Sequence, residues 1–200
     1  LLLAAGFAPA SPHRPLDDPA LAAARRAVDL VLAAHEPFPA IAIDRHWQLV
    51  AANAGFTPLL AGVDPALLRP PVNVLRLSLH PDGAAPNIVN LGQWRAHIFP
   101  RLEEQIRATG DRVLIRLLDE LRGYPGREDD EADNPYAGIA VPLILRTPMG
   151  ELSFISTTTM FGTPVDITLA ELAVESFLPA DPQTLAALRE MQAAASATAH

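Results

Sequence analysis

Between Gly150 and Asp181 the chain reads GELSFISTTTMFGTPVDITLAELAVESFLPAD. Thr, Ile, Phe, Val and Leu dominate this stretch, and Gly162-Thr163-Pro164 interrupts it. Branched and aromatic side chains suit half-buried strands, and the Gly-Thr-Pro triplet suits a turn. The pattern predicts strands over 151–161 and from 165 to about 178. A preceding strand over 138–146 joins the first of these through a hairpin at Met149-Gly150. Along 151–161, Leu152, Phe154, Ser156, Thr158 and Met160 share one face. A face that mixes Phe154 with hydroxyls fits a cavity wall, and fits equally an outer face packed on a partner.

The remainder supplies two more strands and several helices. Asp18-Pro19 is an N-cap followed by Pro at the first helical position, and apolar spacing then predicts a helix over 19–35. Residues 39–53 hold two short strands around Asp44-Arg45-His46, with Asn53 placed to cap a following short helix. Pro71 opens a predicted helix through Leu79. Asn87 caps a long one to about Ala108, and Thr109-Gly110-Asp111 breaks and re-caps the chain before a helix over 112–122. Residues 123–135 form an acidic loop that solvates a connection. A last helix runs from Asp181-Pro182 to Met191. Two strands first, three last and helices between give an α+β class. The expected architecture is a five-stranded antiparallel sheet with helices covering one face, in an order that resembles a PAS module.

Composition narrows the possibilities. Half of the residues are hydrophobic and 19% are charged, below the usual ~25%, so the chain can bury a sizeable core. The net charge of −8 argues against nucleic-acid or anionic-membrane binding by this segment alone. With no cysteine there is neither a disulfide nor a thiolate metal site. All 15 basic residues are Arg, so an Arg is not by itself evidence of an anion site. No apolar run reaches the roughly 18 residues a membrane span needs.

No Walker loop, Gly-x-Ser-x-Gly, Gly-x-Gly-x-x-Gly or His-Glu-x-x-His motif is present, and neither catalysis nor a metal is expected. The informative residues are misplaced polar ones. On the long helix, Ile88, Leu91, Ile98, Phe99, Leu102 and Ile106 fall in one stripe, with Trp94 at its edge and Arg95 inside it. Arg95 then either pairs with an internal acid, snorkels to the surface, or anchors the acidic head of a ligand whose tail lies along the stripe. Trp94, Ile98 and Leu102 are its companions. On the preceding helix, Asn73, Arg76 and His80 lie near one another. Arg76 can pair with an acid of the last strand, Glu171 or Glu175, and His80 can cap carbonyls or meet a ligand. A haem would need His80 or His97 on a pocket wall. His97 is expected opposite the apolar stripe, so no cofactor is expected.

Four segments carry a family resemblance: Asp44 to Leu60, Asn73 to Pro81 (NVLRLSLHP), Leu91 to His97 (LGQWRAH) and Thr159 to Asp181. Together they resemble the ligand-binding domain of MmyB-like transcription regulators of the XRE helix-turn-helix family, over about residues 16–185. The resemblance implies a cytoplasmic, homodimeric regulator with a PAS-like domain that binds a medium- or long-chain fatty acid. Motif residues fall on Arg76, His80, Trp94 and Arg95, and Ile98, Leu102 and Phe154 complete the expected ligand site. Residues 1–16 are expected to be the end of a helix-turn-helix domain plus linker, 17–192 the PAS-like domain and 193–200 a disordered tail. Operator DNA would be read only through the missing N-terminal domain. The competing expectation is a PAS-like interaction module that dimerises without a small-molecule ligand.

Overall fold

A computed structural model of the chain describes residues 22–126, 140–160 and 172–198. Five strands form one antiparallel sheet in the order β2-β1-β5-β4-β3. They are β1 Ala40–Ile43, β2 Leu49–Ala52, β3 Leu143–Thr147, β4 Gly150–Met160 and β5 Ala173–Pro179. The α-helices are α1 Ala22–Ala34, α2 Val74–Leu79, α3 Leu91–Thr109, α4 Arg112–Arg122 and α5 Pro182–Thr198. Short 3-10 turns occupy Ala54–Leu60, Pro65–Leu68 and Ala85–Asn87. This is the α+β, PAS-like arrangement expected from the strand order. The expected remnant over 1–16 and the Gly162-Thr163-Pro164 turn lie outside the described residues, as does most of the acidic loop.

Alternation sorts the sheet residues. The β1–β5 pair sets Ile41 opposite Glu175 and Ala42 opposite Val174. Ile41, Ile43 and Phe177 therefore face the main core, where Leu152 and Phe154 meet Leu75, Leu91, Ile98, Leu102 and Leu117 of α2, α3 and α4. Each fully buried Leu or Phe contributes about 1.5–3 kcal/mol. The opposite face carries small residues, Ala40 and Ala42 with Val174, and Val28 and Leu32 of α1 pack on it. Helices thus cover one face broadly, and α1 adds a smaller layer on the other.

Several polar side chains act at a distance where the sequence predicts local caps. Asn53 does not cap the following turn. Its Oδ1 accepts from Ala40 N (2.9 Å), and its Nδ2 donates to the carbonyls of Leu32 (3.2 Å) and Phe38 (2.8 Å), tying the end of α1 to β1. The long helix begins at Leu91, after Asn90 rather than Asn87. The Asn90 amide accepts from Ile144 N (3.1 Å) and donates to the Pro142 carbonyl (2.7 Å), which holds the start of α3 against β3. α2 starts at Val74, because Asn73 Oδ1 accepts from Leu75 N and Arg76 N, both at 3.1 Å. α5 continues past Met191 to Thr198, in keeping with its Ala-rich sequence.

The β1–β2 turn is built on Asp44, whose Oδ1 accepts from His46 N (2.8 Å) and Gln48 N (2.9 Å). It leaves Trp47 at a φ of 64°, a left-handed conformation that costs a bulky residue about 1–3 kcal/mol. Burial of the indole offsets that cost: Trp47 is 6% exposed, on the side of the sheet where α3 lies.

Candidate functional site

α3 is the element that builds the site. Its buried residues are Leu91, Trp94, Ile98 and Leu102. At ~100° per residue their common direction leaves Arg95 and Phe99 on one flank, and His97 and Arg101 on the other. The two flanks meet different neighbours, α4 for the first and the sheet for the second.

On the sheet side lies a cavity of about 80 Å³. Its walls are mostly apolar and include Ile41, Phe56, Leu59, Ile88, Leu145 and Phe177. Trp47 and Trp94 also line it, and hydrogen bonds fix both indoles. Trp94 Nε1 donates to Ser78 Oγ (2.9 Å) and Trp47 Nε1 donates to Gln105 Oε1 (2.9 Å).

Polar chemistry converges at Arg101. Its Nη1 donates to Glu175 Oε1 (3.0 Å), its Nη2 donates to Thr158 Oγ1 (2.9 Å), and its guanidinium carbon lies 4.7 Å from the centre of the Trp47 ring. His97 lines the same cavity, stacked on Trp94 with ring centres 5.5 Å apart. Burial, reinforced by the Arg101 charge, depresses the His97 pKa below its ordinary value, and Glu175 opposes the shift only partly. Neutral His97 can accept or donate a hydrogen bond. The expected position of His97 away from the core is therefore corrected: burial on α3 is centred nearer Trp94 than the apolar residues alone indicate.

The residues singled out from the sequence separate into three groups. Trp94 and Ile98 line the cavity. Leu102 and Phe154, both at 0% exposure, belong to the core around it and are not among its lining residues. Arg76, His80 and Arg95 are not among them either and gather on the α4 side. Arg76 donates through Nε and Nη2 to the two carboxylate oxygens of Glu120, both at 2.7 Å. Tyr124 Oη donates to the same carboxylate (2.5 Å), and burial, then Glu120, push its pKa up to about 12. The Arg76 bond holds the Glu120 carboxyl below its ordinary range. Arg76 thus pairs with Glu120, while Glu175 is held by Arg101 and Glu171 lies outside the described residues. His80 Nδ1 accepts from Asp82 N (3.0 Å), and its ring meets Tyr124 edge-on at 4.9 Å.

Arg95 lies over the Phe99 ring at 5.0 Å and donates to the carbonyls of Tyr124 (3.2 Å) and Pro125 (3.5 Å). Burial lowers its pKa. Its bonds among the described residues go to main-chain oxygens just past α4, not to an internal acid.

Sequence reasoning passed over Arg101, and offered Glu175 only as a partner for Arg76. A signal existed for Glu175, because it is the one charge in LAVESFLP. An acid inside an apolar strand requires a cationic or hydrogen-bonding partner. Nothing local marks Arg101 as that partner, since it sits 74 residues away.

Among the described residues, no group of three or more His, Cys, Asp or Glu side chains could hold a metal, and no helix is long and apolar enough to cross a membrane. No curated protein matches the chain. A profile of the MmyB-like transcription regulator ligand binding domain matches residues 24–191. With a PAS-like sheet and a mostly apolar cavity that Arg101 and Glu175 also line, the chain belongs to the family of MmyB-like transcription regulator ligand-binding domains.

Proposed function

We propose that this domain senses a fatty acid, with the acyl chain against the apolar walls and the carboxylate at the Arg101 end. The supporting observation is the placement of Arg101. It is the one Arg among the cavity's described lining residues, which are otherwise apolar apart from Ser78, His97 and Glu175. Glu175 and Thr158 take two of its guanidinium N–H groups, and a guanidinium carries five. A ligand carboxylate can therefore share it, with neutral His97 alongside.

The test uses the protein's own fluorophores. Its two tryptophans both line the cavity. Titration with decanoate should change tryptophan emission saturably. Decanol should bind about tenfold or more weakly, since a charged hydrogen bond is worth roughly 1.5–3 kcal/mol. No saturable change with any acid, and no acyl acid on extraction of purified protein, would refute the reading.

The regulator works in the cytoplasm as a homodimer, with operator DNA read by a helix-turn-helix domain elsewhere in the protein. Two-fold symmetry matches paired operator half-sites. Light scattering on the full-length regulator should give a dimer mass at micromolar concentration, and a monomer would overturn this part.

A further inference from the structure

The cavity is small for the ligand its chemistry suits. Its volume is about 80 Å³, whereas a buried apolar cavity that holds benzene measures ~150 Å³. An acyl chain of medium or greater length has to continue beyond these walls. A second depression, of about 360 Å³, lies next to the first. Leu59, Ala84 and Leu145 line both. Arg101, His97 and Glu175 line only the first. Beyond the shared residues, the depression is lined by the apolar Pro58, Ala61 and Pro148 and by the polar Asn87, Arg146 and Thr147.

The three shared residues come from three separate elements. Leu59 is in the Ala54–Leu60 turn, Leu145 is in β3, and Ala84 directly precedes the Ala85–Asn87 turn. Ala84 has the smallest side chain of the three. Its backbone is fixed, because Ala84 N donates to the Leu77 carbonyl at 2.7 Å. Because Ala84 lines both depressions, a longer side chain there competes with a ligand for the space they share.

We infer that Leu59, Ala84 and Leu145 form a gate through which the tail of a long-chain acid passes into the second depression, and that the small size of Ala84 sets the chain length admitted. The inference rests on the fatty-acid reading above and adds to it the route of the tail and the residue that measures it. Methylenes near the carboxylate occupy the first cavity, and those beyond the gate occupy the second.

The experiment is a tryptophan-fluorescence titration with octanoate, decanoate, tetradecanoate and hexadecanoate. Unaltered protein should bind more tightly as the chain lengthens to at least tetradecanoate. Ala84→Leu should weaken octanoate least, and should weaken tetradecanoate and hexadecanoate by about tenfold more than octanoate, the equivalent of roughly two buried methylenes. Leu59→Ala, which widens the gate, should keep the preference for long chains, and it serves as the test should Ala84→Leu fail to fold. An Ala84→Leu effect equal at all lengths, no effect at any length, or loss of the long-chain preference in Leu59→Ala would overturn the gate while leaving the fatty-acid reading standing. If unaltered protein binds no acid of any length, the fatty-acid reading fails and the gate with it.

Discussion

Arg101 Nη1 lies 3.0 Å from Glu175 Oε1, yet the two side chains are unequally placed, at 37% and 8% exposure. The carboxylate is nearly enclosed while the guanidinium keeps a path to water. Removing either partner should therefore have different consequences. Arg101→Leu strands a buried charge and should cost about 3 kcal/mol or more. Glu175→Gln leaves an Arg that water can still reach and should cost about 1 kcal/mol. Combining Arg101→Leu with Glu175→Leu should recover most of the larger loss. Urea denaturation of the three variants checks this, and equal costs for the two single changes would contradict it.

His97 should make stability depend on pH in a definite direction. Its pKa in the folded protein is lowered, first by burial and then by Arg101, from an unfolded value of about 6.5. Below that value the unfolded chain binds the proton more readily. The stabilisation is thus fully present above about pH 6.5 and is lost as pH falls through the folded pKa. His97→Gln should flatten the decline of melting temperature between about pH 7.5 and 5.5 relative to the unaltered protein. Parallel curves for the two proteins would remove His97 as the cause.

Asp111 has two tasks. Its Oδ1 accepts from Val113 N (2.7 Å) at the start of α4, and its Oδ2 lies 2.8 Å from His46 Nε2 in the β1–β2 turn. Asp111→Ala removes both contacts and should cost about 1–2 kcal/mol, the usual range for an N-cap. Asp111→Asn keeps the cap and should recover more than half of that loss. Thermal melts of both variants at pH 7 decide it.

Arg95→Leu distinguishes the two flanks of α3. Arg95 bonds to the Tyr124 and Pro125 carbonyls, so the change should cost about 1 kcal/mol of stability and leave decanoate affinity within about twofold. Loss of decanoate affinity at unchanged stability would return the anchoring role to Arg95.

Arg95 and Arg101, both on α3, show how far sequence reading reaches. The helix and its apolar stripe were legible, because Leu91, Ile98 and Leu102 recur at helical spacing. The stripe's exact centre was not. Phe99 and Ile106 pulled it toward Arg95, whereas Trp94 is more deeply buried than either. A few tens of degrees of rotation moved His97 and Arg101 to the cavity and Arg95 away from it.

Alternation along 151–161, the Met149-Gly150 turn and the Gly110-Asp111 break between α3 and α4 are interactions among near neighbours. The sequence by itself therefore determined the identity of most elements, their order and the α+β class. The family likewise rests on motifs readable in the chain. The tertiary structure alone decided which side chains meet. Asn53 and Asn90 can each cap a local helix or satisfy backbone groups many residues away, and the distant groups won because buried amides and carbonyls require partners. Glu175 meets Arg101, and Arg76 meets Glu120, because sheet register and helix rotation bring those pairs within bonding distance. Neither is encoded in any short stretch of residues.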